Sequence, residues 1–259
     1  MKKSVCIETI FTEVSFEERF QLARESGFDY IEFWSWTDKD IKKIKELCET
    51  YRLKVASFSG DQSFSLIDDS ESKDYINFIK ESIKAAKYLG CDNLVIHSNA
   101  LGEGGVVINH YSGVSKCKKV ATMFNVLKQL APVAEKEKVN LVLEALNTEV
   151  DHVGNFLNNT RESSEIVRLV NSPYIKVLYD VYHMQIMEGN IIDTMKQYID
   201  VIGYIHIADV PGRHEPGTGE INYKNVMGAL RELGYNKIIG FELFPLKSSK
   251  EAVEAIKSL

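Results

Sequence analysis

The stretch Val139-Asn-Leu-Val-Leu-Glu144 is a short apolar run that ends on a carboxylate, and three later stretches repeat this pattern. They are Ile175-Lys-Val-Leu-Tyr-Asp180, Ile202-Gly-Tyr-Ile-His206 and Ile238-Ile-Gly-Phe-Glu242. Near-continuous apolar runs are typical of parallel strands, because helices cover both faces of such a sheet. A side chain at the last position of such a strand points toward the loops. Four in succession predict that one site is assembled there.

The rest of the chain repeats one unit, a strand followed by a short loop and an amphipathic helix. Strand candidates begin near Ser4, Asp29, Leu53, Asp92, Val139, Ile175, Val201 and Lys237. Helix starts are predicted at a capping box, Ser15-Phe-Glu-Glu18, and at a cap on Thr160. Eight such units without a flexible linker predict an α/β fold, a single (β/α)8 barrel domain over residues 1–259. The alternative is an open doubly wound sheet, but the first turn, Glu8-Thr-Ile-Phe-Thr12, lacks the glycines typical of that fold.

Composition and charge exclude several classes of protein. The hydrophobic content of 44% and charged content of 26% are ordinary for a globular domain. A net charge of -6 argues against a nucleic-acid partner. No apolar run is long enough to cross a membrane, and the start at Met1 lacks a hydrophobic signal region, which predicts a cytoplasmic protein. The four cysteines form no CxxC pair, so neither a zinc knuckle nor a disulfide framework is indicated. The sequence leaves open whether the protein forms a homo-oligomer.

The four strand-end residues form the main candidate site. In a barrel, Glu144, Asp180, His206 and Glu242 would converge from strands five to eight, at the face where active sites lie. Three carboxylates and one imidazole suit one divalent ion, Mn²⁺ or Mg²⁺, with Zn²⁺ or Co²⁺ as alternatives. The competing interpretation is that each is an ordinary solvated polar residue at a strand end.

Other polar residues could face the same mouth. His183, just past strand six, could bind metal or a substrate oxygen. His97 ends strand four and Glu32 lies within strand two, and both are candidates for substrate binding or for core polar residues with local partners. His110 and His152 are interpreted as structural.

The loop after strand seven, Ala208-Asp-Val-Pro-Gly-Arg-His-Glu-Pro-Gly-Thr-Gly-Glu-Ile-Asn222, follows a proposed ligand directly. It could be a flexible surface loop, but Pro211 and Pro216 restrict its backbone, and ordered loops at a barrel mouth commonly carry function. Arg213 is predicted to supply a fixed cation for a substrate carboxylate or hydroxyl.

Two glutamates beside a divalent ion predict proton transfer at carbon. The ion would acidify a C–H next to a carbonyl and stabilise the resulting enediolate. One of Glu144 and Glu242 could then take a proton and the other return it. This is aldose–ketose isomerisation or epimerisation. The chain contains no GxGxxG, GxxxxGK[ST] or GxSxG motif, so no organic cofactor is predicted.

Four stretches resemble the hydroxypyruvate isomerase family of the xylose isomerase-like TIM barrels. They are residues Ile31–Asp40, Leu146–His152, Tyr182–Asn190 and Ala208–Tyr223. The resemblance implies interconversion of hydroxypyruvate and tartronate semialdehyde, or of related short keto-acids. It also implies that Glu144 and Glu242 are catalytic and bind metal with Asp180 and the strand-seven residue. His183 and Arg213 match substrate-contacting positions.

Two departures from that family leave the substrate open between a keto-acid and a neutral sugar. Hydroxypyruvate isomerases often carry glutamine at the position of His206, whereas histidine is more like the ketose 3-epimerases. The family often has a basic Lys/Gln-Pro-Arg-Gly segment after its last glutamate, but this chain reads Leu243-Phe-Pro-Leu-Lys-Ser248, and Phe244 suits a neutral sugar.

Three other functions are weighed. Endonuclease IV-type repair enzymes use three metals, but strand three ends Ala56-Ser-Phe-Ser59 without histidine, and their Asp-Arg-His triplet reads Gly212-Arg-His214 here. Metal-dependent dehydratases would share enolate formation and then expel water. A non-catalytic sugar-binding barrel would keep the site without the chemistry.

Overall fold

The computed structural model describes residues 1–259 as eight parallel strands with helices around them. Each strand pairs with the next along the chain, and the last pairs with the first, so the sheet closes into a barrel. The strands are β1 (Lys2–Cys6), β2 (Tyr30–Phe33), β3 (Lys54–Ser59), β4 (Asn93–Ile96), β5 (Asn140–Glu144), β6 (Ile175–Asp180), β7 (Ile202–Ile207) and β8 (Ile238–Phe241). The predicted (β/α)8 barrel is confirmed.

The helices follow the strands as predicted, with one addition. They are α1 (Glu18–Glu25), α2 (Ile41–Tyr51), α3 (Ser72–Leu89), α4 (Lys116–Glu137), α5 (Thr160–Val170), α6 (Val181–Met187), α7 (Ile191–Tyr198), α8 (Tyr223–Glu232) and α9 (Ser249–Ser258). The sequence did not predict α6, which begins directly after β6 because Asp180 caps it through hydrogen bonds from the backbone of Tyr182 and His183. No helix has the length and apolar character needed to cross a membrane.

The cap of α5 differs from the prediction by one residue. The side chain of Asn159 accepts the backbone N–H of Glu162, so Asn159 is the cap and Thr160 is the first helical residue. Thr160 instead donates its N–H and hydroxyl to Glu188, which joins α5 to the end of α6.

The alternation of side chains along the strands places the site above a layer of buried hydrophobic residues. Val142, Leu178 and Tyr204, from β5, β6 and β7, are buried and pack together in a small cluster of their own. Side chains two residues apart on a strand point to the same face. The residues two positions later on these three strands are the predicted metal ligands, so they project from the same face at the carboxyl end of the barrel.

Candidate active site

The structure brings the four predicted metal ligands together. One ligand atom each from Glu144, Asp180, His206 and Glu242 lies within 4.8 Å of all the others. Asp180 and His206 are directly opposed in the pairing of β6 with β7, and Glu242 follows the last residue of β8. This proximity therefore follows from the register of the strands.

Unpartnered polar atoms mark the centre of this cluster. Glu144 Oε1 and both ring nitrogens of His206 are buried without a hydrogen-bond partner. His206 Nδ1 lies 3.8 Å from Glu144 Oε1, 4.0 Å from Asp180 Oδ2 and 3.4 Å from Glu242 Oε2. Buried polar atoms without partners are costly, so the arrangement fits a divalent cation that all four groups could bind together.

The electrostatics of the cluster point the same way. Burial, and next the negative charge of Glu144, raise the pKa of Asp180 to about 7. Burial opposes a charge on His206, but the carboxylates of Glu32, Glu144 and Glu242 raise the pKa of its ring well above the usual value. The neighbouring side chains therefore do not supply enough positive charge to balance the carboxylates of the cluster.

Glu144 is held by a chain of groups from two other strand ends. His97 Nε2 lies 3.2 Å from Glu144 Oε2, and His97 Nδ1 lies 3.0 Å from Asp61 Oδ1. Asp61 also accepts the backbone N–H of His97 and the hydroxyl of Tyr75. Burial opposes ionisation of Glu144, yet the rings of His206 and His97 hold its pKa well below the usual range. One carboxylate oxygen is therefore fixed, and the other is left for a ligand.

Glu32 lies behind His206. Its Oε1 is 3.5 Å from His206 Nε2, and its Oε2 accepts hydrogen bonds from Ser57 and from Tyr204. A Cβ on Gly240 would lie 2.5 Å from both carboxylate oxygens, so the missing side chain at this position makes room for Glu32. A carboxylate on the far side of a histidine ligand is a common support for metal binding.

Glu242 is fixed at both oxygens. Arg213 Nη2 donates to Oε2 at 2.6 Å, and the indole N–H of Trp34 donates to Oε1. Burial opposes ionisation of Glu242, but the Arg213 guanidinium and the His206 ring hold its pKa well below the usual range. Arg213 also lies over the ring of Tyr182, with 5.4 Å to the ring centroid.

The loop after β7 is ordered around one carboxylate. Asp209 is fully buried and accepts the backbone N–H groups of Gly217, Gly219 and Ile221. The carbonyl of Arg213, whose φ is +56°, accepts the backbone N–H of Phe244. These bonds join the loop to the end of β8 and set the guanidinium beside the cluster.

His183 lies at the same cavity from the first turn of α6. Its side chain is fully buried, and its Nε2 is 3.6 Å from Asp180 Oδ2. Burial, and next the charge of Arg213, lower the pKa of this ring well below its usual value. His152, which the sequence analysis interpreted as structural, also lines the cavity and has an unpartnered Nε2.

The cavity has a volume of about 560 Å³, within the range typical of small-molecule sites. Eight carboxylates line it: Glu8, Glu32, Asp38, Asp61, Glu103, Glu144, Asp151 and Glu242. Its two cationic side chains, Lys39 and Arg213, are both paired with carboxylates, Lys39 with Glu8 at 2.7 Å. Trp34 and Phe244 are exposed at its edge.

Three residues that contribute to this site were not singled out in the sequence. Asp61 lies two positions beyond the end of β3, so the same strand-end rule could have found it. Asn147, three residues after Glu144, contacts His183. Nothing local in the sequence marks Trp34 as a partner of Glu242, because they lie 208 positions apart.

Comparison with known proteins identifies the class. A family model described as a xylose isomerase-like TIM barrel matches residues 20–259, and the chain belongs to that family. The chain is 31% identical over 253 residues to the hydroxypyruvate isomerase of Escherichia coli K12, covering 95% of this chain and 94% of that protein. The resemblance to the hydroxypyruvate isomerase family is thereby confirmed.

Two further matches are a second isomerase relative and a solved structure. The 2-oxo-tetronate isomerase of Haemophilus influenzae is 29% identical over 245 residues, covering 91% of this chain and 90% of that protein. The crystal structure of an AP endonuclease, family 2, from Brucella melitensis has a TM-score of 0.91 at 25% identity, covering 99% of this chain and 98% of that one. The curated relatives support an isomerase of a sugar or keto-acid.

Proposed function

We propose that the protein is a metal-dependent isomerase of a short keto-acid or ketose, similar to hydroxypyruvate isomerase, that works through an enediolate. The observation that carries this proposal is the convergence of Glu144, Asp180, His206 and Glu242 within 4.8 Å. A divalent cation held by these four residues would supply a Lewis acid at the substrate carbonyl. A cluster of three carboxylates and a histidine suits Mn²⁺ or Mg²⁺, with Zn²⁺ or Co²⁺ as alternatives.

The two glutamates divide the proton transfer between them. Both pKa values are held below the usual range, so both groups are ionised and can act as bases. Glu144 Oε1 is the oxygen that no protein group occupies, and it takes the proton from the substrate carbon in our proposal. Glu242, which comes from the other side of His206, would take the proton of the substrate hydroxyl and return it at the neighbouring carbon, while Glu144 would pass its proton to the carbonyl oxygen, so that both glutamates end ionised. His97 and Glu32, predicted as substrate-binding, act in this scheme by orienting Glu144 and His206.

The charge of the cavity favours a second candidate, a ketose 3-epimerase acting on a neutral sugar. Arg213, the predicted partner of a substrate carboxylate or hydroxyl, is bound to Glu242, and Lys39 is bound to Glu8. No unpaired Lys or Arg side chain therefore faces the cavity, whereas an aromatic edge at Phe244 suits the apolar face of a sugar. The volume also exceeds what a three-carbon acid needs.

The same lining argues against DNA repair. Nucleic-acid binding relies on unpaired Lys and Arg side chains that neutralise phosphates. Eight carboxylates and two paired cations would repel a phosphate backbone instead. The end of β3 also supplies serines and Asp61 rather than a histidine ligand.

The test is a panel of C3 to C6 ketoses and keto-acids incubated in deuterated water with added Mn²⁺. We expect solvent deuterium in a product of the same carbon skeleton, and loss of turnover in Glu144→Gln and in Glu242→Gln. Glu254→Gln, an exposed change on α9, is the matched control. Near-normal rates in either site variant would remove the two-base mechanism. A product that has lost one water would indicate a dehydratase, and preference for neutral ketoses would favour the epimerase.

A further inference from the structure

Asn147 and His183 form a fully buried pair beside the proposed metal cluster. Asn147 lies in the loop after β5, His183 lies in α6, and neither side chain is exposed to solvent. Asn147 Nδ2 and His183 Nδ1 are 2.7 Å apart. The hydrogen-bond roles of these two atoms decide where the imidazole carries its proton.

The backbone fixes the orientation of the Asn147 amide. Its Oδ1 accepts two backbone N–H groups, from Val150 at 3.0 Å and from Asp151 at 2.9 Å. The opposite end of the amide must therefore be the NH₂ group, which can only donate. One of its hydrogens goes to Asp151 Oδ2 at 2.7 Å, and the other goes to His183 Nδ1.

We propose that Asn147 fixes His183 as a neutral imidazole with its proton on Nε2, and that this N–H donates to a substrate oxygen. An imidazole nitrogen that accepts a hydrogen bond carries a lone pair, and an imidazolium ring has none. Nδ1 is therefore unprotonated, and the hydrogen of the neutral ring is on Nε2. Asn147 is a positioning residue in this arrangement, because it acts through His183.

The surroundings of His183 Nε2 leave this atom without a hydrogen-bond partner. The atom is buried without a hydrogen-bond partner in the protein, and the carboxylate nearest to it, Asp180, is 3.6 Å away. His183 lines the cavity that holds the metal cluster. A substrate oxygen beside that cluster would complete this bond, and a donor aimed at a developing negative charge stabilises it. This catalytic part of the proposal rests on the proposed isomerase function, whereas the position of the proton does not.

The same geometry excludes a second metal ion at a nearby cluster. Ligand atoms of Asp151, His152 and His183 lie within 4.8 Å of one another, and two of the three side chains are fully or almost fully buried. His183 has no free lone pair to offer, however, since Asn147 occupies Nδ1 and Nε2 carries hydrogen. One ion per chain is expected.

Histidine-selective ¹⁵N labelling of the full chain tests the proton position directly. Long-range ¹H–¹⁵N spectra of the metal-free and metal-loaded protein report which ring nitrogen is protonated, and His183→Gln assigns the signal. We expect hydrogen on Nε2 alone in the wild type. Hydrogen on Nδ1, or on both nitrogens, would overturn the proposal whatever the protein catalyses.

Asn147→Asp tests the catalytic part. A carboxylate can only accept, so we expect the proton to move to Nδ1 and kcat to fall about 100-fold, as when one oxyanion donor is removed. Asn125→Asp, exposed on α4, adds the same charge elsewhere and should change neither the proton position on His183 nor kcat. A shifted proton with kcat within threefold of wild type would refute the catalytic role. Absence of turnover in the wild type on every substrate would instead refute the proposed function and leave the proton assignment intact.

Discussion

Replacing Arg213 with methionine removes a cation while keeping most of the side-chain volume. Arg213 Nη2 lies 2.6 Å from Glu242 Oε2, and the two side chains are only 13% and 12% exposed. The methionine variant leaves Glu242 buried without its nearest positive charge. The sequence predicted mainly weaker substrate binding for the loss of Arg213, but these contacts also predict a loss of stability.

The size of the expected stability loss follows from the distance between the two charges and from their burial. At an effective dielectric constant of about 20, two unit charges 2.6 Å apart attract by about 6 kcal/mol. Desolvation offsets part of this attraction, and removal of one partner from a buried pair costs about 3–5 kcal/mol. A loss of about 3 kcal/mol corresponds to a decrease in Tm of roughly 6–12 °C for a chain of this size.

Calorimetry and urea unfolding in the presence of a chelator measure this loss, since a bound cation would otherwise shield Glu242. Arg161→Met is the matched control, because Arg161 and Glu165 form a solvent-exposed pair on α5, 75% and 54% exposed, which should change the stability little when it is lost. Arg213→Lys should lie between wild type and Arg213→Met. If Arg213→Met unfolds within 0.5 kcal/mol of wild type, the pair does not hold Glu242.

Three further outcomes are expected. Gly240→Ala would bring a methyl group to 2.5 Å from the Glu32 carboxylate. It should therefore cost about 1–3 kcal/mol of stability and weaken Mn²⁺ binding, measured by calorimetry. Gly228→Ala, whose methyl group meets no atom within 4 Å, is the control and should have neither effect. Asp61→Asn should reduce kcat about 10- to 100-fold without loss of helical circular dichroism, because His97 loses its carboxylate partner; an unchanged kcat would contradict this. Chelation should abolish turnover, and a metal at 100 times its Kd should restore activity and add about 2.7 kcal/mol to the free energy of unfolding.

The order of strands and helices could be predicted because it depends on local patterns. Most strands contain an apolar run, and helices such as α7 have their buried residues at helical spacing. The α6 helix was missed because its seven residues are too few for a clear period. The shift of the α5 cap from Thr160 to Asn159 is a competition between two adjacent capping residues that the sequence alone does not resolve.

The predicted metal ligands could be found because one rule, the polar residue at the end of a parallel strand, applies to each of them separately. Their roles in metal binding and catalysis remain predictions. The contacts that orient them follow no such rule. Asp61 reaches His97 across two strand ends, and Asn147 defines the proton of His183 through backbone groups of its own loop. Such contacts depend on the closed barrel rather than on any sequence spacing.

The hydrogen bond from Trp34 to Glu242 gives the protein a built-in optical reporter. The chain has only two tryptophans, and the second, Trp36, donates its N–H to Ser82 instead. Any ion or sugar that reaches Glu242 would change the electric field at the Trp34 indole, which lines the cavity, whereas Trp36 does not line it. In a Trp36→Phe protein, emission from a single fluorophore would therefore follow ligand arrival in real time, without a label and before any chemistry occurs.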